Sequence, residues 1–146
     1  IKEISTLYQR QKAAEESAVK TKEEFIEYFI QKIGWKEDEE FHVIYLDSKL
    51  QITGEGKGFM KEFVSKGTID RASVYPRKVM EEALKNKAYA LMFAHNHPSG
   101  NIQPSEQDVN LTKSLSLAAK TLGIIIYDHF IISGNEYFSF KENGLL

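Results

Sequence analysis

The sequence predicts an α/β fold, a mixed β-sheet flanked by helices, on three observations. Short apolar runs rich in β-formers stand at 41–46, 88–94 and 124–132. Amphipathic helical patterns stand between them at 76–86 and 105–122. A further helical pattern at 21–33 precedes the first run, so helices and strands alternate along the chain.

Each element has its own local signal. Residues 1–20 are polar and without period, and are read as an arm. Thr21-Lys22-Glu23-Glu24 has the spacing of a capping box. Phe25, Ile26, Phe29, Ile30 and Ile33 then recur at helical spacing, and Gly34 ends the run. Trp35 is expected to pack this helix onto the sheet. Phe41-His42-Val43-Ile44-Tyr45-Leu46 reads as a buried strand. Asp47-Ser48-Lys49 reads as a turn, with a returning strand over 50–56. The stretch Lys57–Lys66 fits either type, and Gly67-Thr68-Ile69-Asp70 reads as loop. Pro76 opens a helix that places Val79, Met80, Ala83 and Leu84 on one face. Ala88 through Ala94 is a second buried strand, ending at His95-Asn96-His97-Pro98-Ser99-Gly100. A helix runs from Ser105 to Leu122 and stops at Gly123. Ile124–Ile132 is a strand too apolar for the surface. Glu136–Phe140 pairs with it across Ser133-Gly134-Asn135.

Composition narrows the function. The chain has 146 residues, 42% of them hydrophobic, with nine Phe and seven Tyr, enough for one domain with a core. Lys plus Arg number 19 and Asp plus Glu 21, a net charge of −2 without the basic excess usual for nucleic-acid binders. Cysteine is absent, which excludes disulfides, thiolate metal sites and a Cys nucleophile. No apolar run approaches the roughly 20 residues of a membrane span. The opening Ile1-Lys2-Glu3-Ile4 lacks signal-peptide architecture. A soluble cytoplasmic protein is expected.

The chemistry concentrates in fourteen residues, 95–108. His95 and His97, two apart on extended backbone, point the same way about 7 Å apart along the chain and can converge on one ion. They follow a buried strand, where α/β folds place ligands. The turn at Pro98–Gly100 redirects the chain and delivers Asp108 in the first turn of the next helix, where the helix dipole favours a carboxylate. Two imidazoles and one carboxylate leave a fourth position for water, the pattern of catalytic zinc. Each part also has an ordinary reading. A single His is more often packed or solvated than a ligand. Ser105-Glu106-Gln107-Asp108 is a plausible helix cap. Their coincidence at one strand-to-helix junction favours metal, and Ser105 can cap the helix and still present its hydroxyl to the site. An HNH nuclease is rejected, because the residues of that motif are not consecutive.

The run His95-Asn96-His97-Pro98-Ser99-Gly100, then Pro104-Ser105 and Asp108, closely resembles the RadC proteins of the JAMM (MPN+) metalloprotease superfamily. Their pattern is His-x-His followed by Ser-x-x-Asp, and ten residues separate His97 from Asp108 here. Further matches are Gly67-Thr68, Val74-Tyr75-Pro76-Arg77, Asp128-His129, and Ser139-Phe140 through Gly144-Leu145-Leu146. Asn101 stands where relatives often carry Asp. The resemblance spans roughly 37–146 and implies a JAMM/MPN-type fold, related to the cytidine deaminase-like fold, with one Zn2+ on His95, His97 and Asp108. It divides the chain into an N-terminal arm and helix, 1–34, and a RadC-like JAMM domain, 35–146.

The resemblance also implies a glutamate general base at the start of the first core strand. Aligning Phe41 and Leu46-Asp47 puts it at Glu39. Alternation agrees, since Glu39 shares a face with Phe41, Val43 and Tyr45, whereas Glu40 shares one with His42 and is read as a solvated acid. Ser105 is implied as donor to a developing oxyanion. His129 is open to three readings: a fourth ligand, a partner orienting a ligand, or a buried pair with Asp128. Asp128 is equally open as a carboxylate orienting a ligand histidine. His42 is read as structural, and Arg77 as a substrate anchor or a backbone cap. The leading expectation is a zinc-dependent hydrolase of amide or isopeptide bonds, with a peptide or protein substrate left unnamed. The alternative is a DNA-repair module without peptidase activity. Longer RadC relatives carry a helix-hairpin-helix segment before this domain. The short N-terminal part here and the neutral charge are expected to count against direct DNA binding. A metal-binding domain without catalysis ranks third.

Overall fold

The computed structural model describes residues 21–55, 64–65, 68–69 and 74–146. The arm 1–20 and most of the ambiguous stretch 57–66 lie outside the described residues. Among the described residues three helices flank the strands: α1 (Lys22–Ile33), α2 (Pro76–Lys85) and α3 (Glu106–Thr121). The strands are β1 (Phe41–Leu46), β2 (Ile52–Glu55), β3 (Val64–Ser65), β4 (Thr68–Ile69), β5 (Ala90–Asn96), β6 (Ile125–Ser133) and β7 (Glu136–Ser139). Five of them form one sheet in the order β2-β1-β5-β6-β7, and β3 pairs with β4 separately. Only β5 and β6 run parallel, joined by α3; the other pairs are antiparallel. The sheet is thus mixed, and the fold is α/β, as expected.

Period-two alternation sorts the central strands into two cores. Phe41, Val43, Tyr45, Leu91 and Phe93 face α2 and α3, meeting Val79, Ala83, Leu115 and Ala119. Ile44, Leu46, Met92, Ala94, Phe130 and Ile132 face α1, meeting Phe25, Phe29 and Ile33. Burial on both faces explains the unbroken apolar runs of β1 and β5. Thr21 caps α1 by accepting the Glu24 amide at 3.2 Å. No helix among the described residues is long and apolar enough to cross a membrane.

Several expectations are corrected. Thr68–Ile69, expected in loop, pairs antiparallel with Val64–Ser65, in keeping with the pleat preference of Val, Thr and Ile. β5 extends through His95 and Asn96, because both remain paired with β6 and His95 also with Phe41; only His97 lies past its end. Leu84 is exposed, so the buried stripe of α2 is Val79, Met80 and Ala83. Ile125 is half exposed, so β6 is buried only from Asp128 to Ile132. Trp35 is 72% exposed, because the chain leaves α1 toward the β6–β7 turn. There the Gly134 amide donates to Gly34 O at 2.7 Å, and the Trp35 ring edge lies over Gly134.

Gly34 is required by this crossing and not by its backbone angles, since its φ is −61°. A Cβ there would stand 2.5 Å from the carbonyl oxygens of both Gly134 and Ile30. Gly123 is the opposite case, with φ +71° and open space around the added atom. Gly34→Ala is expected to lose roughly 3 kcal/mol, the upper range for overpacking. Gly123→Ala is expected to lose only about 1–2 kcal/mol of left-handed strain. Urea unfolding of both variants checks the order, and a larger loss at Gly123 would contradict the close crossing.

Candidate metal centre

The β5–α3–β6 unit builds the site. Parallel pairing of β5 with β6 brings the carboxyl end of β5 to the start of α3, so His95 and His97 face the first turn of that helix. The Ser105 hydroxyl accepts the Asp108 amide at 3.0 Å, and Asp108 Oδ2 accepts the Ser105 amide at 2.9 Å. This reciprocal capping box fixes the Asp108 carboxylate on the site side of the helix. The expected helix cap is thus formed by the same two residues that the metal reading uses.

The imidazoles converge, with Nε2 of His95 and Nε2 of His97 3.0 Å apart. Asp108 stands 3.3 Å from His95 Nε2 through Oδ1 and 3.2 Å from His97 Nε2 through Oδ2. His95 and Asp108 are buried, at 0% and 1% exposure. Glu39 approaches from the open side, its Oε1 3.8 Å from His97 Nε2. Glu39, His95 and His97 each bring one donor atom within 4.8 Å of one another. Four of the expected residues thus meet at one point, and Ser105 adjoins it through Asp108.

These spacings can be tested against a zinc ion. Ligand atoms about 2.0 Å from a tetrahedral zinc lie about 3.3 Å from each other. The His95–His97 separation and the distance from each imidazole to its nearer Asp108 oxygen are close to that edge, and the Glu39–His97 distance is longer. Protonation agrees. His97 Nδ1 lies 2.7 Å from the Asn101 carbonyl oxygen, which can only accept. In neutral His97 the proton therefore sits on Nδ1 and a lone pair on Nε2. Use of the main chain at Asn101 also explains why its side-chain type leaves this contact unaltered.

Two residues that sequence reasoning left out complete the frame. Asn96 is buried and faces away from the histidines that flank it. Its amide nitrogen donates to the carbonyls of Asp38 at 2.9 Å and Lys36 at 3.4 Å, and its Oδ1 accepts the Glu40 amide at 2.7 Å. It grips the backbone on both sides of Glu39. Thr112, one turn beyond Asp108 on α3, contacts His129 Nδ1 at 2.7 Å. A buried polar residue at the middle of His-x-His, and a Thr four residues after an expected ligand, were the available signals.

Other candidates go elsewhere. His129 Nε2 contacts His95 Nδ1 at 2.8 Å, which makes it a partner of His95. The Asp128 side chain accepts from the His129 and Lys141 amides and from Ser139 Oγ, on the face of the sheet away from the His95 and His129 rings. Glu40 is ion-paired with Lys36 at 2.7 Å and joined to His42 at 3.0 Å, so it is not merely solvated, and His42 has a partner. Burial raises the Glu40 carboxyl pKa, but the Lys36 and His42 contacts outweigh it and hold the pKa below the usual value. Arg77 is exposed and pairs with Glu81 at 3.1 Å.

The RadC-like JAB domain family model matches residues 19–145. A UPF0758 protein of Fusobacterium nucleatum subsp. nucleatum is 40% identical over 128 residues, covering 88% of this chain and 53% of that protein. One from Pseudoalteromonas translucida (strain TAC 125) is 36% identical over 144 residues, covering 99% and 62%. UPF0758 protein YeeS of Escherichia coli (strain K12) is 41% identical over 120 residues, covering 82% and 77%. The chain spans about half the length of the first of these relatives. With its mixed sheet and helices on both faces, the chain belongs to the RadC family, within the JAB/MPN superfamily.

Proposed function

We propose that the domain is a zinc-dependent hydrolase of the JAMM type, with His95, His97 and Asp108 as ligands and a peptide or protein amide or isopeptide bond as substrate. The observation that carries this reading is the meeting of two imidazole nitrogens and a buried carboxylate at 3.0 to 3.3 Å. A carboxylate at 1% exposure is costly to keep charged without a cation or full hydrogen bonding. Asp108 is preferred to Glu39 as the third ligand because it is nearer to His97, at 3.2 Å against 3.8 Å, stands 3.3 Å from His95, and is locked by the capping box. Membership of a JAB family supports the reaction class.

Zinc bound there would supply Lewis acidity and a water acidic enough to deprotonate near neutral pH. Glu39, on the open side, takes that proton and returns it to the departing amine nitrogen. The Ser105 hydroxyl accepts from the Asp108 amide and still has its own proton to donate, which suits it to the oxyanion formed at the carbonyl. Asn96 holds Glu39 to this task through the backbone on both sides of it.

Elemental analysis of protein purified with zinc should find one equivalent in the wild type and in Glu39→Gln, and little in His97→Ala or Asp108→Ala. Retention in Asp108→Ala with loss in Glu39→Gln would exchange the two roles. On a quenched fluorogenic peptide library, Glu39→Gln should lose about 10²–10⁴ in rate. Ser105→Ala should lose about 10²–10³. An active Glu39→Gln beside an inactive Glu40→Gln would overturn the choice of base. Glu40→Gln should instead lower stability at neutral pH. A carboxyl with a depressed folded pKa contributes above its unfolded pKa and stops contributing as pH falls through the folded one. The gap between wild type and Glu40→Gln in thermal unfolding should therefore close in acid, and a gap that widens would contradict the ion pair.

A further inference from the structure

We infer that His129 and Thr112 are positioning residues that fix the tautomer of His95 and tie it to Asp108, so that two ligands of the centre proposed above form one preset unit. The inference rests on that reading of the centre and on the hydrogen bonds of a buried ring of groups.

The ring begins at the main chain of Asp108. The Thr112 hydroxyl donates to the Asp108 carbonyl at 2.8 Å. A carbonyl has no proton to give, so the single hydroxyl proton of Thr112 is spent in this contact. The same oxygen lies 2.7 Å from His129 Nδ1 and must therefore accept there, which puts a proton on Nδ1. Neutral His129 then has a lone pair on Nε2. That atom is 2.8 Å from His95 Nδ1, which must be the donor. Neutral His95 is left with its lone pair on Nε2, the nitrogen that faces His97 and Asp108. One carbonyl oxygen at the start of α3 thus dictates, through two side chains, which nitrogen of a distant strand residue is free to bind a cation. The circuit closes on itself, since it begins and ends at Asp108.

The surroundings make the arrangement binding. His95 and His129 are at 0% exposure and Thr112 is at 1%, so their polar atoms must be satisfied within the protein. Aromatic rings wall the pair. Phe140 stacks on His129 with centroids 4.4 Å apart and planes 7° apart. Phe41 and Phe93 meet the His129 ring edge-on at 5.4 and 5.8 Å. Phe41 also lies over His95, at 5.8 Å and 19°. These walls hold both ring planes, and the low dielectric strengthens the hydrogen bonds within them. The outer partner of a metal-binding histidine is commonly a carboxylate, carbonyl or water. Here it is a second imidazole whose own orientation is set from the helix that supplies Asp108.

The test uses zinc alone, measured by competition with a chromophoric chelator, and thermal unfolding of the metal-free protein. Thr112→Val keeps the shape and removes the hydroxyl. His129→Phe keeps the stacked ring and removes both nitrogens. Each should weaken zinc binding by about 10–100-fold. Thr112→Ser should restore near-wild-type affinity. Affinities unchanged in Thr112→Val and His129→Phe, with only a lower melting temperature of the metal-free protein, would reduce both residues to packing and overturn the inference. His97→Ala separates the two readings. If wild type binds no more zinc than His97→Ala, the centre itself fails. If wild type binds and His97→Ala does not, the variants at 112 and 129 decide the ring alone. Long-range proton–nitrogen spectra of metal-free protein at alkaline pH, where imidazoles are neutral, decide the tautomers without any metal. Protons on Nδ1 of both His95 and His129 are expected, and a proton on His95 Nε2 would sink the proposal.

Discussion

Two imidazole nitrogens brought to 3.0 Å, against a carboxylate with almost no solvent, set a charge-balance condition that the rest of the fold must meet. Groups of this kind do not gather by hydrophobic collapse, which would leave them in water. They are held by a scaffold packed around two apolar clusters. The parallel β5–β6 pair and the capping box of α3 hold the strand end and the helix start at a fixed spacing. The antiparallel β1–β5 register, with Phe41 opposite His95, then brings the chain just before β1 level with His97. The proposed ligand and proton-transfer roles, and the capping of α3, thus fall to elements that meet at one end of the sheet, on its α3 face.

The sheet serves that end asymmetrically. Its α1 face is sealed by Phe25, Ile26, Phe29 and Ile33 over Ile44, Met92 and Phe130, and its buried polar residues His42, Asn96 and Asp128 stand apart from the histidine cluster. Its other face grades from Tyr45 and Leu91 through Phe93 and Phe41 to His129 and His95. Hydrophobic burial anchors the deep part of this face, and hydrogen-bonded rings take over toward the mouth. The gradient lets buried polar groups sit in a region of fixed geometry, where an unmade hydrogen bond costs about 1–3 kcal/mol and alternative arrangements are correspondingly rare.

Much of this was legible in the sequence, because periodicity and capping are local. The 21–33 helix, the 41–46 strand and the helix from Ser105 follow from spacing alone, and the structure returns them with bounds shifted by a residue or so. The grouping of His95, His97 and Asp108 was legible because all three lie within one strand-to-helix junction. What was not legible depends on contacts between distant segments. Trp35 was expected to lie beneath α1, but the crossing of Gly34 with Gly134 turns it outward. Asp128 was open to a role at the site, and its neighbour His129 holds that place, because alternation sends adjacent strand residues to opposite faces. Asn96 and Thr112 were passed over since their partners lie 56 to 60 and 17 residues away.

Asn96 carries a lesson for anyone who would move this chemistry to another protein. The three letters His-Asn-His look like a cassette that could be grafted onto any exposed strand end. In fact the outer two work on one side of the sheet while the middle one works on the other, clasping a loop that arrives from the start of the neighbouring strand. A transplant without that neighbour would deliver the imidazoles and strand a buried amide with nothing to hold. The portable unit is a pair of adjacent strands and the helix after them, not a tripeptide.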